Sequence, residues 1–181
     1  MIHQHPQKVM RYFKWGVARL ILEAEPCPDV LPMWIDGPQH VMNEKRTWPK
    51  PIPRPGKEVE VTFGELVDTE AVFGPFREKW RALKEESRRK RLARQASGDA
   101  AVPTDRLGEV MDDDLKYGPE AEQLRIDLTL AVRNEVLKVR RSRGLPDEDP
   151  KRSLAATWRK EGRTDSQEQG EMDDRSVVKD V

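Results

Sequence analysis

The sequence has one cysteine, no long apolar run and no net charge. A lone thiol, Cys27, excludes a disulfide framework and any metal site built from several cysteines. The longest unbroken apolar stretches are of the Leu20-Ile21-Leu22 type or, with Pro32 allowed inside it, Val30 to Ile35. A membrane-spanning helix needs about 20 such residues, and no stretch approaches that. The 33 basic and 33 acidic side chains cancel, which argues against a protein that coats nucleic acid. Hydrophobic residues make up 36% and charged residues another 36%. With its 11 glycines added the apolar share is about 42%, still below the about 45–50% of average globular domains, which are about 25% charged, so part of the chain cannot belong to a packed core.

The zero net charge hides an asymmetry. Residues 1–95 carry 18 basic and 13 acidic side chains, a net of +5, and residues 96–181 carry 15 and 20, a net of −5. Four of the five tryptophans (Trp15, Trp34, Trp48 and Trp80) lie in the first part. Gly98 to Asp114 has the composition of a linker and ends in Asp112-Asp113-Asp114. From Gly144 onward little is available to bury beyond Leu154 and Trp158, the signature of a disordered charged tail. The expected organisation is a domain over 1–95, an acidic linker or insertion over 96–118, an amphipathic helix over 119–143 and a disordered tail over 144–181.

Within the first part, Tyr12, Phe13, Val17, Leu20, Ile21 and Ala24 recur at three- and four-residue spacings, which predicts a helix over 8–24. Pro26 and Pro28 stop it. Phe13, Leu20 and Ile21 read as its core side, while Trp15 suits either a core or a membrane interface. Val30 to Ile35 reads as a strand covered on both faces. Prolines at 49, 51, 53 and 55 force an extended connection. Val59, Val61 and Phe63 then alternate with polar residues, as in a half-buried strand. A helix with a basic end is expected over 76–94. Another is expected over 120–141, with Leu124, Leu128, Ala131, Val132, Val136 and Val139 on one stripe.

The residues of this succession resemble the C-terminal half of the tafazzin family, within the glycerophospholipid acyltransferase superfamily. The likeness rests on Phe13-Lys14-Trp15-Gly16-Val17-Ala18-Arg19-Leu20-Ile21, on Pro28-Asp29-Val30-Leu31-Pro32-Met33-Trp34 with Gly37, and on Arg54-Pro55-Gly56-Lys57 with Val59 to Gly64. It covers roughly residues 1–95 and, more weakly, 120–141; the long charged insertion and tail look like those of fungal members. The fold class it implies is α/β, as half of an acyltransferase domain. The implied activity is acyl-coenzyme A-independent transfer of fatty acyl chains between phospholipids and lysophospholipids, notably cardiolipin. The implied location is peripheral, on the outer or inner mitochondrial membrane facing the intermembrane space, and no cofactor or metal is implied.

In the family, a His-x-x-x-x-Asp box supplies a histidine that takes a proton from the accepting hydroxyl and an aspartate that holds the ring. A Phe-Pro-Glu-Gly box seats the glycerophosphate, and a hydrophobic strand with a proline matches Val30-Leu31-Pro32-Met33. Neither of the first two boxes is present. Five residues after His3, His5 and His40 stand Lys8, Met10 and Lys45. The stretch resembling Ile2-His3-Gln4-His5-Pro6 directly follows the second box in the family, so the simplest expectation is a truncated or mis-started form of a longer protein, inactive by itself.

Three features carry more than one reading each. His3 and His5 either border the glycerophosphate site or belong to a solvated terminus. Pro32 either lies beside the acyl-transfer site or marks a strand edge or bulge. Arg88, Arg89, Lys90, Arg91 and Arg94 either bind anionic lipid headgroups, at about 1 kcal/mol each near a membrane surface, or form a solvated helix end suited to the helix dipole. The same letters also suit a nuclear-localisation signal. The rival function is a non-catalytic peripheral module that binds anionic lipid or a partner helix through 76–94 and 120–141. A nucleic-acid binder is disfavoured by the charge balance and the lack of a base-reading motif.

Overall fold

The computed structural model describes residues 8–42, 52–96 and 113–153. In chain order they form α1 (Gly16–Glu23), β1 (Met33–Asp36), α2 (Pro38–Val41), β2 (Glu60–Phe63), α3 (Thr69–Ala96), α4 (Asp113–Tyr117), α5 (Pro119–Ser142) and a 3-10 turn (Pro150–Ser153). This helix-rich chain with a small sheet is compatible with the α/β class. His3, His5, most of the linker, and the tail beyond Ser153 lie outside the described residues.

The chain divides into two compact units. Among the described residues, one gathers 8–13, 31–42, 52–65 and 133–153; the other gathers 14–30, 66–96 and 113–132. The first half of α5 therefore counts with the second unit, and the part from Arg133 onward with the first.

In the first unit β1 and β2 pair antiparallel, with Met33 opposite Phe63, Trp34 opposite Thr62, Ile35 opposite Val61 and Asp36 opposite Glu60. Gly64 N–H to the Pro32 carbonyl (2.8 Å) extends the pairing by one step. Gly37 follows β1 at φ +101°, where a side chain would also run into the Glu58 carbonyl, so only glycine fits the turn into α2. The Trp34 face of the sheet is held by other parts of the unit. Lys8 Nζ donates to Asp36 at 2.5 Å, Arg143 pairs with Glu60, and the Arg140 guanidinium lies 5.8 Å from the Trp34 ring centre, within cation–π range.

The opposite face departs from the expected burial. Met33, Ile35, Val61 and Phe63 are 44–59% exposed. The apolar run of β1 is thus covered on one side only. The alternation of β2 is real, but its apolar residues are the uncovered ones.

In the second unit α1 packs on α3, with Ala18, Ile21 and Leu22 buried on one helix and Phe73 and Trp80 on the other. Arg77 closes the end of α1. Its Nη1 donates to the carbonyls of Ile21 and of Ala24, the latter at 2.9 Å, and its Nη2 pairs with Glu25 at 2.8 Å. Ala121, Leu124, Leu128 and Val132 bury one stripe of α5, as the heptad-like spacing predicts. Arg125 donates to the Leu115 and Lys116 carbonyls at 2.7 and 2.9 Å, satisfying the last turn of α4. Burial lowers the pKa of its guanidinium.

Two helices differ in extent from expectation. α3 starts at Thr69, ahead of Pro75, because Asp68 Oδ1 accepts the Ala71 N–H at 3.0 Å and caps the helix. α1 starts at Gly16 rather than near residue 8, because the backbone of 8–11 bonds to side chains elsewhere in its unit. Leu20 is 66% exposed, a correction to its expected core role.

Candidate functional site

Pro32 is buried immediately before β1. Its missing N–H costs no ladder bond there, because the strand begins one residue later. Its carbonyl is used by Gly64, and its ring crowds that glycine. A Cβ on Gly64 would sit 3.0 Å from Pro32 Cγ and 2.5 Å from Val139 Cγ2. Pro32, Gly64 and Val139 therefore meet with no room for another methyl group, on the same side of the sheet as Trp34 and Asp36.

The neighbouring polar cluster is built on Glu148. Its Oε1 accepts the Met10 N–H at 2.6 Å and pairs with Arg140 Nε at 3.1 Å. Its Oε2 pairs with Arg133 Nη2 at 2.6 Å. The three side chains are only 2–3% exposed. The arginines continue onto backbone carbonyls: Arg133 reaches Met10 at 2.6 Å and Arg11 at 3.3 Å, and Arg140 reaches Lys8 at 3.2 Å and also Pro146. Both carboxylate oxygens are engaged, so this group is a clamp on 8–11 and 146–148 rather than a poised base. Sequence reasoning missed it, although Arg133 and Arg140, seven apart on α5, lie on one side of the helix.

Asp36 ends β1 and accepts from Lys8, from Gln39 Nε2 at 2.7 Å and from the Gly37 N–H at 2.9 Å. The Lys8 hydrogen bond is the largest of the influences that hold its carboxyl below the ordinary value. The one described histidine, His40, lies exposed in α2. Among the described residues no cluster of His, Cys, Asp and Glu could hold a metal ion.

In the second unit Arg88, Arg89 and Lys90 are exposed on α3, as is Arg94, while Arg91 is half-buried. Arg89 pairs with Glu85 at 3.3 Å. Lys90 pairs with Glu86 at 2.9 Å and approaches Asp114 at 3.8 Å; the Glu86 hydrogen bond raises its pKa. These one-turn pairs are the ordinary furniture of a solvated helix. Just before α1, Trp15 is 44% exposed and lies under Arg125 (5.3 Å) and Arg19 (6.0 Å). With Leu20 it leaves α1 apolar toward solvent as well as toward α3. No described helix is long and apolar enough to cross a membrane.

No protein-family model matches the chain. Over 165 residues it is 33% identical to tafazzin of Saccharomyces cerevisiae. The similarity covers 86% of this chain but 39% of the yeast protein. It therefore extends well past residue 95, beyond the stretch on which the resemblance first rested. The chain spans about two-fifths of the length of the relative it matches.

Proposed function

We propose that this chain is the C-terminal part of a tafazzin-like phospholipid acyltransferase, whose reaction moves an acyl group from a phospholipid to a lysophospholipid, as in cardiolipin remodelling, and needs neither acyl-coenzyme A nor another cofactor. The observation that carries this is the 33% identity spread over 86% of the chain.

The division of labour follows from what the chain does and does not hold. A base is needed to take the proton of the lysophospholipid hydroxyl as its oxygen attacks the donor's ester carbon. The proton then passes to the departing oxygen of the donor glycerol. The family places that base in a His-x-x-x-x-Asp box, absent from these 181 residues, so the box belongs to polypeptide outside them. This chain supplies the supporting half. Pro32 heads a strand that borders the acyl chain, and His3 and His5 adjoin the glycerophosphate. The basic end of α3, from Arg88 to Arg94, faces anionic headgroups. Trp15, just before α1, and Leu20 on it, both exposed, rest at a mitochondrial membrane surface. Contact of this kind is peripheral, so alkaline carbonate extracts the protein.

The chain alone should be inactive. Purified protein mixed with labelled phosphatidylcholine and monolysocardiolipin should move no more label into cardiolipin than a protein-free control. Transfer above that control, abolished by His3→Ala or His5→Ala, would overturn the division and make that histidine the base. A second reading, a non-catalytic module that binds anionic lipid or a partner helix, draws on the exposed Arg88, Arg89 and Lys90. It is favoured if the chain binds anionic vesicles yet cannot replace the matched part of an active relative.

A further inference from the structure

The sheet of the first unit has an uncovered apolar face. Leu31, Met33 and Ile35 on one side and Val59, Val61 and Phe63 on the other share one orientation in the alternation, and all six are 44–59% exposed. The register sets Met33 against Phe63 and Ile35 against Val61, so these four form one contiguous patch. The sheet has two strands, so among the described residues each strand also keeps one backbone edge without a ladder. The Trp34 face already packs on α5 residues such as Val139, so the apolar face is the side of this short sheet left open.

We propose that this face and its edges are the docking surface for another polypeptide, the catalytic part that a tafazzin-like protein carries outside the stretch matched here. This rests on the acyltransferase reading above. Two observations select that occupant. An open strand edge requires N–H and C=O partners, which a polypeptide strand supplies and a hydrocarbon layer does not. The yeast relative has about three-fifths of its length beyond the matched 39%, more than enough chain to form the missing layer.

The test uses the whole chain and, as a separate polypeptide, the part of yeast tafazzin outside the match. Co-expression should give a 1:1 complex in which the amides of 33–36 and 60–63 exchange more slowly. Ile35→Lys and Val61→Lys place a charge at exposed positions that tolerate it, and each should weaken the complex about tenfold or more. Lys79→Glu on α3 should leave it unchanged. Should the yeast part not fold separately, the same exchange measurement is made on a single-chain fusion, where slowing of about tenfold at 33–36 and 60–63 is expected. No slowing there would overturn the proposal. So would a complex indifferent to both lysines, self-association abolished by Val61→Lys, or vesicle binding abolished by Val61→Lys. Acyl transfer separates the two ideas. A lysine-sensitive complex without transfer keeps the surface and sinks the acyltransferase reading, and lysine-insensitive transfer does the reverse.

Discussion

Glu148 and Arg133 form an ion pair at 2.6 Å with both side chains 3% exposed or less. They lie 15 residues apart in sequence, yet the bond fixes two further segments. The same carboxylate holds the Met10 N–H and Arg140, and Arg133 holds the Met10 carbonyl. A buried charge group of this kind adds little over a packed apolar core when complete, but it is costly to break, because the remaining ions stay buried without compensation.

Glu148→Ala should therefore lower stability by about 3–5 kcal/mol, read as a fall in the urea midpoint. Residues 8–11 should become protease-sensitive together with 144–148, because one clamp holds both. An unchanged midpoint would contradict the clamp.

Asp36 gives the chain an acid-sensitive contact. Its carboxyl is held below the ordinary value chiefly by Lys8, so the folded state favours the charged form. The stabilisation is fully present above the unfolded value of about 3.9 and is lost as pH falls through the lower folded value. The stability difference between wild type and Asp36→Asn should be constant from neutral pH down to about pH 5 and then shrink. A difference that grows on acidification would contradict the direction of the shift.

The crowding at Gly64 is testable by coupling. Gly64→Ala should cost about 1–3 kcal/mol by overpacking against Pro32 and Val139. Val139→Ala removes the methyl groups that the new Cβ meets, so the double variant should be less destabilised than the two single effects added together. Strict additivity in thermal or urea unfolding would show that the three residues do not share one space.

Helix positions were legible from periodicity where burial alone decides them. The expected 120–141 appears as Pro119–Ser142, because Leu124, Leu128 and Val132 do bury one stripe. α1 was shortened by a cause that no local pattern contains. Lys8, Met10 and Arg11 give their backbone groups to Arg133, Arg140 and Glu148, far away in sequence. Glu148 itself stands among charged residues in 144–153, where composition suggested nothing to bury, yet paired charges were buried there. The spacing of Val59, Val61 and Phe63 gave the strand but not which face is covered, since alternation is the same whichever side meets a partner. Of the site residues, Pro32 was conspicuous because proline is unusual in an apolar run. The Glu148 clamp left only the faint mark of two arginines two turns apart.

The most direct measurement replaces the matched part of yeast tafazzin with this chain, in one continuous polypeptide, and follows labelled acyl groups from phosphatidylcholine into cardiolipin. Transfer well above the protein-free control, abolished when the histidine of the family's His-x-x-x-x-Asp box is changed to alanine, is the predicted result. A folded, membrane-associated chimera that transfers no label would contradict the assignment of this chain to a tafazzin-like acyltransferase.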